Sequence, residues 1–135
     1  MKTLYPTIAA YNRAQKGEDK AICSLLKKEI DHALGKATSK IWHGSPVWFL
    51  DDNPIVGYHK LKDGVRLLFW SGQSFKEDGL VPEGSFKAAE ARYMMRDNVK
   101  VGALRRWLKL SKTVQWDYKN IVKRKGVLKR LAIVS

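Results

Sequence analysis

Apolar residues recur at helical spacing near both ends of this chain and at β-type spacing between them. Ile22, Leu25, Leu26, Ile30, Ala33 and Leu34 follow the i, i+3, i+4 rhythm, with Glu18 and Asp19 at the start and Gly35 after the end. Lys20, Lys27, Lys28 and Asp31 take the opposite face, so the pattern predicts an amphipathic helix laid on a core. A shorter helical lead-in over 5–13 is predicted from Ile8 and Tyr11.

From Ser39 the character changes. Ile41, Trp42, Val47, Trp48, Phe49 and Leu50 are β-type residues and predict one strand, closed by the turn cluster Asp51, Asp52, Asn53 and Pro54. A second strand is predicted over 55–61 and a third over 65–70. Lys62, Asp63 and Gly64 join them as a hairpin loop in which the glycine takes a positive φ. If Leu50 pairs with Ile55, Trp48 faces Gly57 and its indole covers the strand glycine. Residues 71–84 are rich in Gly, Ser, Pro and acids and read as a long surface loop. Ala89, Ala91, Tyr93 and Met95 alternate with Glu90, Arg92 and Met94, which predicts a fourth strand with one buried face. Helical spacing returns over 98–111 through Val101, Leu104, Trp107 and Leu108. It continues over 113–125 through Val114, Tyr118, Ile121 and Val122, with Gly126 as the stop. The predicted fold class is α+β: an antiparallel sheet of about four to five strands with an N-terminal helix and two C-terminal helices packed on it. The 135 residues contain no repeat and no linker, and that length suits one domain with a core of its own.

Composition adds compartment and charge. With 44% hydrophobic residues the chain belongs to the globular class, and its single cysteine, Cys23, allows no intramolecular disulfide. A reducing compartment fits that usage, so the predicted location is cytoplasmic. The first six residues lack the apolar stretch of a signal peptide, and no apolar run reaches membrane-spanning length. The charge is uneven: residues 100–135 carry eleven Lys and Arg against Asp117 alone, which is most of the net +13. That asymmetry predicts a polyanionic partner, or at least a face that repels cations.

The basic stretch supplies one set of candidate binding residues. On the 98–111 helix, Arg105, Lys109 and Lys112 fall at i, i+4, i+7 with Arg106 beside them, and on the last helix Trp116, Lys119 and Lys123 share a face. An indole among lysines can stack on an unpaired base while the cations take phosphates, so nucleic acid or another polyanion is the expected partner of this face. A solvated basic face that keeps the protein soluble is the simpler account. The apolar tail 127–134 is expected to pack on its own domain, with a protein partner or a membrane surface as the alternatives. The aromatics supply the second set. Trp42, Trp48 and Trp70 lie on neighbouring strands and Phe75 lies in the loop beside them; core packing and loop cover are the default reading, and a cleft between loop and sheet is the place for a small ligand.

Other chemistry is thinly represented. His32, His43 and His59 are the only imidazoles, and neither they nor Cys23 show zinc-type spacing. Ser45 follows His43 and precedes Asp51, but neighbours in an extended segment do not make a Ser-His-Asp relay. The Ser71-Gly72-Gln73-Ser74 turn lacks the Gly-Lys-Ser/Thr ending of a phosphate loop.

Two runs carry a family resemblance. Ile41-Trp42-His43-Gly44-Ser45-Pro46-Val47-Trp48-Phe49 and Leu68-Phe69-Trp70-Ser71-Gly72-Gln73-Ser74-Phe75 resemble strand signatures of the YdhG-like family, bacterial domains of unknown function. The order of elements from about Ile8 to Val122 is similar as well. Some family members are described as frataxin-like iron chaperones, so the resemblance implies a non-enzymatic binding or chaperone role with iron as the cargo. It transfers no ligand to a numbered position. The acids open to such a role are Glu18, Asp19, Glu77 and Asp78, and the first helix mixes its acids with Lys20, Lys27, Lys28 and Lys36. The expected function is therefore binding rather than catalysis, with nucleic-acid binding through the basic helices as the alternative.

Overall fold

The computed structural model describes residues 5–133. Two helices, α1 (Ile8–Ala14) and α2 (Gly17–Ala33), precede four consecutive strands, β1 (Thr38–Trp42), β2 (Ser45–Leu50), β3 (Asn53–Leu61) and β4 (Gly64–Phe69). A two-residue strand β5 (Val81–Pro82), a further strand β6 (Ala89–Tyr93) and helix α3 (Val101–Ser111) follow. The strands form one antiparallel sheet of six in the order β1-β2-β3-β4-β6-β5. The α+β class stands, with six strands in place of four to five.

Helix α1 opens where Thr7 Oγ1 accepts the Ala10 N–H at 3.0 Å. Helix α2 has Glu18 and Asp19 in its first turn, where the N-terminal dipole favours acids. Its apolar stripe, Ile22, Leu26 and Ile30, is fully buried against the sheet residues Trp48, Val56, Tyr58, Val65, Leu67 and Phe69. Polar anchors fix the helices to the strands. Tyr58 Oη donates to Asn12 Oδ1 at 2.7 Å, the Lys60 N–H donates to Tyr11 Oη at 2.9 Å, and Trp48 Nε1 donates to Asp31 Oδ1 at 2.8 Å.

Three expectations are corrected. The strand expected over 41–50 is two strands, because His43 (φ 50°) and Gly44 (φ 80°) make a two-residue hairpin turn with both central residues in the left-handed region. Asp51 (φ 50°) and Asp52 (φ 66°) make a second such turn, so Leu50 pairs with Asn53 and not with Ile55. A register shift between Trp48 and Phe49 then places Val47, not Trp48, opposite Gly57, where an added Cβ would stand 2.5 Å from the Pro46 carbonyl oxygen.

The third correction concerns 113–125, which is not a helix. Only Tyr118–Asn120 makes a 3-10 turn, and Val122, expected to be buried, is 87% exposed. The backbone donors go to distant partners: the Trp116 N–H to Ser71 Oγ at 2.9 Å, the Asp117 N–H to the Lys129 carbonyl at 2.8 Å and the Lys119 N–H to Asn53 Oδ1 at 3.1 Å. These tertiary bonds replace the helical ladder, so one C-terminal helix packs on the sheet, not two. The tail does lie against its own domain: Arg130 bridges to Trp116, the Leu131 N–H donates to the Gln115 carbonyl at 2.9 Å, and Val134 falls outside the described residues. No helix among the described residues is long and apolar enough to cross a membrane.

Candidate functional site

With the helices and the core on one face of the sheet, the strand parity sends Lys40 and Trp42 of β1, Val47 of β2, His59 of β3 and Arg66 and Leu68 of β4 to the other face. Glu90 and Arg92 continue that face on β6 through their pairing with Leu68 and Arg66. An aromatic group forms at its β1 end. The Trp42 ring lies 5.4 Å from Phe49, edge-on, and 6.1 Å from Trp70. Segment 118–122 runs alongside and encloses with these rings an open groove of about 610 Å³. Trp42 and Trp70 are part-buried there and keep ring surface toward the groove.

Two lysines stand at this groove. Lys40 Nζ lies 5.2 Å from the centre of the Phe49 ring, and Lys119 Nζ donates to the Asp51 carbonyl at 2.7 Å. Neither forms an ion pair with a carboxylate among the described residues, while Asp52 is the acid at the rim. The groove thus joins flat apolar surface to two lysines set against one carboxylate, a net positive charge.

Segment 118–122 is held in place from beneath by Asp117, which is 2% exposed. Desolvation alone would push this carboxyl up. Hydrogen bonds from Asn120 Nδ2, at 3.2 and 3.0 Å, and from Arg124 Nη1 outweigh that and hold it below the usual aspartate range. A depressed folded-state pKa means that the stabilisation is complete above the unfolded value of about 3.9 and is lost as pH falls through the folded value. Acidification below about pH 4 should therefore loosen the segment. Asp117→Asn should loosen it at neutral pH, raising amide exchange at Asp117 and Leu131 roughly tenfold or more, since a charge-assisted hydrogen bond contributes about 1.5–3 kcal/mol. Exchange rates unchanged by the substitution would contradict this role.

The residues proposed from sequence are dispersed. Of the aromatic set, Trp42 and Trp70 share the groove, whereas Trp48 and Phe75 are core residues, 1% and 6% exposed. Phe75 packs on Phe69 at 5.3 Å, so the start of the loop, 71–75, folds into the core while 81–84 stay exposed, and segment 118–122 supplies the wall expected from the loop. Of the basic set, Arg105 makes a two-point contact with Glu29 (2.8 and 3.1 Å) and Arg106 bonds Glu77 at 3.2 Å. The first of these contacts holds the Glu29 carboxyl below its usual range. Lys109 and Lys112 are exposed at the end of α3. Trp116, Lys119 and Lys123 share no helical face because no helix forms there. Trp116 instead donates from Nε1 to Ser74 Oγ at 2.9 Å, with Lys87 Nζ 4.6 Å from its ring centre.

Sequence reasoning missed a polar set beside the groove. Ser45 Oγ and His59 Nδ1 share a hydrogen bond of 2.6 Å, and desolvation, then the Arg66 charge, hold the His59 pKa below its ordinary value. The signal was the Asp51-Asp52 turn, which with the register shift after Trp48 sets the Val47–Gly57 pair; stepping two residues from that pair puts Ser45 opposite His59.

Iron handling fits the donor set poorly. Among the described residues no three His, Cys, Asp or Glu side chains converge. Glu18 Oε1 accepts the Arg96 N–H at 2.7 Å, Asp19 pairs with Lys60 at 2.9 Å and Glu77 is held by Arg106. Cys23 is fully buried, and burial pushes its thiol up to about 12, which keeps it protonated at neutral pH. Comparison with protein-family models, with curated proteins and with solved structures finds no match to this chain.

Proposed function

We propose that this protein is a non-enzymatic binding domain for single-stranded nucleic acid, which lies across the outer face of the sheet. The observation that carries the reading is the groove in which the part-buried rings of Trp42 and Trp70 stand beside Lys40 and Lys119, neither of them ion-paired. Unpaired bases stack on such rings in any sequence, and lysines neutralise the phosphates between them. The net +13 charge favours approach of a polyanion over that of a cation. The reading moves the nucleic-acid site from the α3 stripe, where Arg105 and Arg106 are occupied by carboxylates, to the sheet face. Membership of the YdhG-like group and a cytoplasmic setting are part of the proposal. The first rests on the two aromatic runs and the second on a single, buried, unpaired thiol.

The test is fluorescence anisotropy of a labelled single-stranded oligonucleotide across a salt series. Lys40→Glu with Lys119→Glu should weaken binding and lower the slope of log K against log salt by roughly 1.4, two phosphate contacts at about 0.7 each. The same reversal at Lys109 and Lys112, which stand away from the groove, should cost less. Equal effects of the two double variants, or binding that vanishes at physiological salt, would overturn the reading.

A further inference from the structure

Directly beside the groove, and sharing Trp42 and Trp70 with it, lies a smaller cavity of about 170 Å³. That is below the roughly 300 Å³ at which sites for whole drug-sized ligands begin. Its floor is Gly57, at the position where the sheet has no side chain; His43, Ser45, His59 and Arg66 line it among mostly apolar neighbours.

The charge at this cavity is unbalanced. Glu90 is the nearest acid in the sheet. One of its oxygens is taken by Arg92 Nε at 2.6 Å, and the other stands 3.9 Å from Arg66 Nη1, beyond hydrogen-bond range. Arg66, Arg92 and Glu90 together carry one net positive charge, and His59 adds none at neutral pH because its proton affinity is lowered. Arg66 Nε and Glu90 Oε1 are both buried, and neither has a hydrogen-bond partner among the described residues. A buried donor without a partner is rare, because it forfeits its hydration and receives nothing in return. One donor of the guanidinium is thus without an acceptor, and the Arg66 side chain lines the small cavity.

We infer that this cavity receives a terminal phosphate of the bound strand, so that the protein prefers nucleic-acid ends bearing a phosphomonoester. The inference rests on the groove reading above and names the subsite that completes it. A monoester carries about −1.5 to −2 charge near neutral pH, against −1 for a phosphodiester within the strand. Its oxygens match the planar fork of an arginine, which presents two parallel N–H donors. With the His59 proton on Nδ1 and donated to Ser45 Oγ, the Ser45 hydroxyl is left to donate to a third oxygen. The wall shared through Trp42 and Trp70 lets the terminal base stack in the groove while its phosphate enters the cavity. The cavity has no room for a nucleoside along with the phosphate, and a monoester brings more charge to it than an internal phosphodiester does.

The experiment uses one short oligonucleotide with an internal label in three forms: 5′-phosphorylated, 3′-phosphorylated and without a terminal phosphate. Anisotropy titrations are run against the wild type, Arg66→Gln and Arg66→Lys. One of the two phosphorylated forms should bind the wild type about tenfold more tightly than the unphosphorylated strand, the scale of one charge-assisted contact. That form also decides between the two ends. Arg66→Gln should remove the preference while leaving most of the affinity for the unphosphorylated strand. Arg66→Lys keeps the charge but not the fork, and should restore only part of it. Equal binding of all three forms by the wild type overturns the inference and leaves the groove reading standing. A preference that persists in Arg66→Gln overturns the assignment of the cavity. Absence of binding by every form overturns the groove reading and this inference with it.

Discussion

Trp42→Ala and Trp70→Ala should each weaken single-stranded binding roughly five- to a hundredfold, since one base stacked on one aromatic ring is worth about 1–3 kcal/mol. The two effects should not add in full, because the rings lie 6.1 Å apart and pack on each other. Trp70→Phe should retain more affinity than Trp70→Ala, as it keeps a flat π-face. Because both indoles also pack on the sheet, each variant needs its unfolding midpoint recorded beside its affinity. The account expects a modest loss of stability with a large loss of binding. Full affinity in the double alanine variant would remove the groove as the site.

Trp48→Ala should have the opposite signature. The indole is 1% exposed, lies 5.8 Å from the Tyr58 ring and donates to Asp31 across to α2. Truncating a buried tryptophan costs about 3–5 kcal/mol, through lost transfer energy and the cavity left behind. Total domain stability is about 5–15 kcal/mol, so this one change removes a large share of it. Urea unfolding followed by circular dichroism reads the loss directly as a lowered midpoint. Trp48→Phe should recover part of it, lacking the bond to Asp31. A midpoint unchanged by Trp48→Ala would contradict the assignment of this residue to the core, and with it the separation of Trp48 from the groove rings.

That separation was only half legible in the sequence. The rhythm of Ile22, Leu26 and Ile30 announced α2, and the alternation of Ala89, Ala91 and Tyr93 announced β6, because each depends on local spacing alone. The His43-Gly44 turn was hidden by aromatic β-formers on both sides, and its leading residue is histidine rather than the asparagine or aspartate usual in such turns. Missing it merged two strands and shifted the parity of β2. As a result Trp48 falls on the same face as Trp42 in the sequence, and Ser45 meets His59 only once the Asp51-Asp52 turn and the register shift after Trp48 are known. The segment after α3 failed for a different reason. Its helical spacing through Val114, Tyr118, Ile121 and Val122 is real, but Ser71, Ser74 and Asn53 capture its polar groups from more than forty positions earlier in the chain. No local pattern encodes that choice. The excess charge is legible as a total, but which cations are ion-paired is not, since Glu29 and Glu77 occupy Arg105 and Arg106 only after folding.

The central claim is that the outer sheet face, at Trp42 and Trp70, receives a single strand. A two-dimensional ¹H–¹⁵N spectrum reads this most directly, because each of the five tryptophans contributes one indole N–H signal. On titration with a short single-stranded oligonucleotide at physiological salt, the Trp42 and Trp70 signals should move together and saturate, while those of buried Trp48 and Trp107 stay in place. Saturable binding that leaves Trp42 and Trp70 unmoved, or a titration that moves no indole signal, would contradict the account.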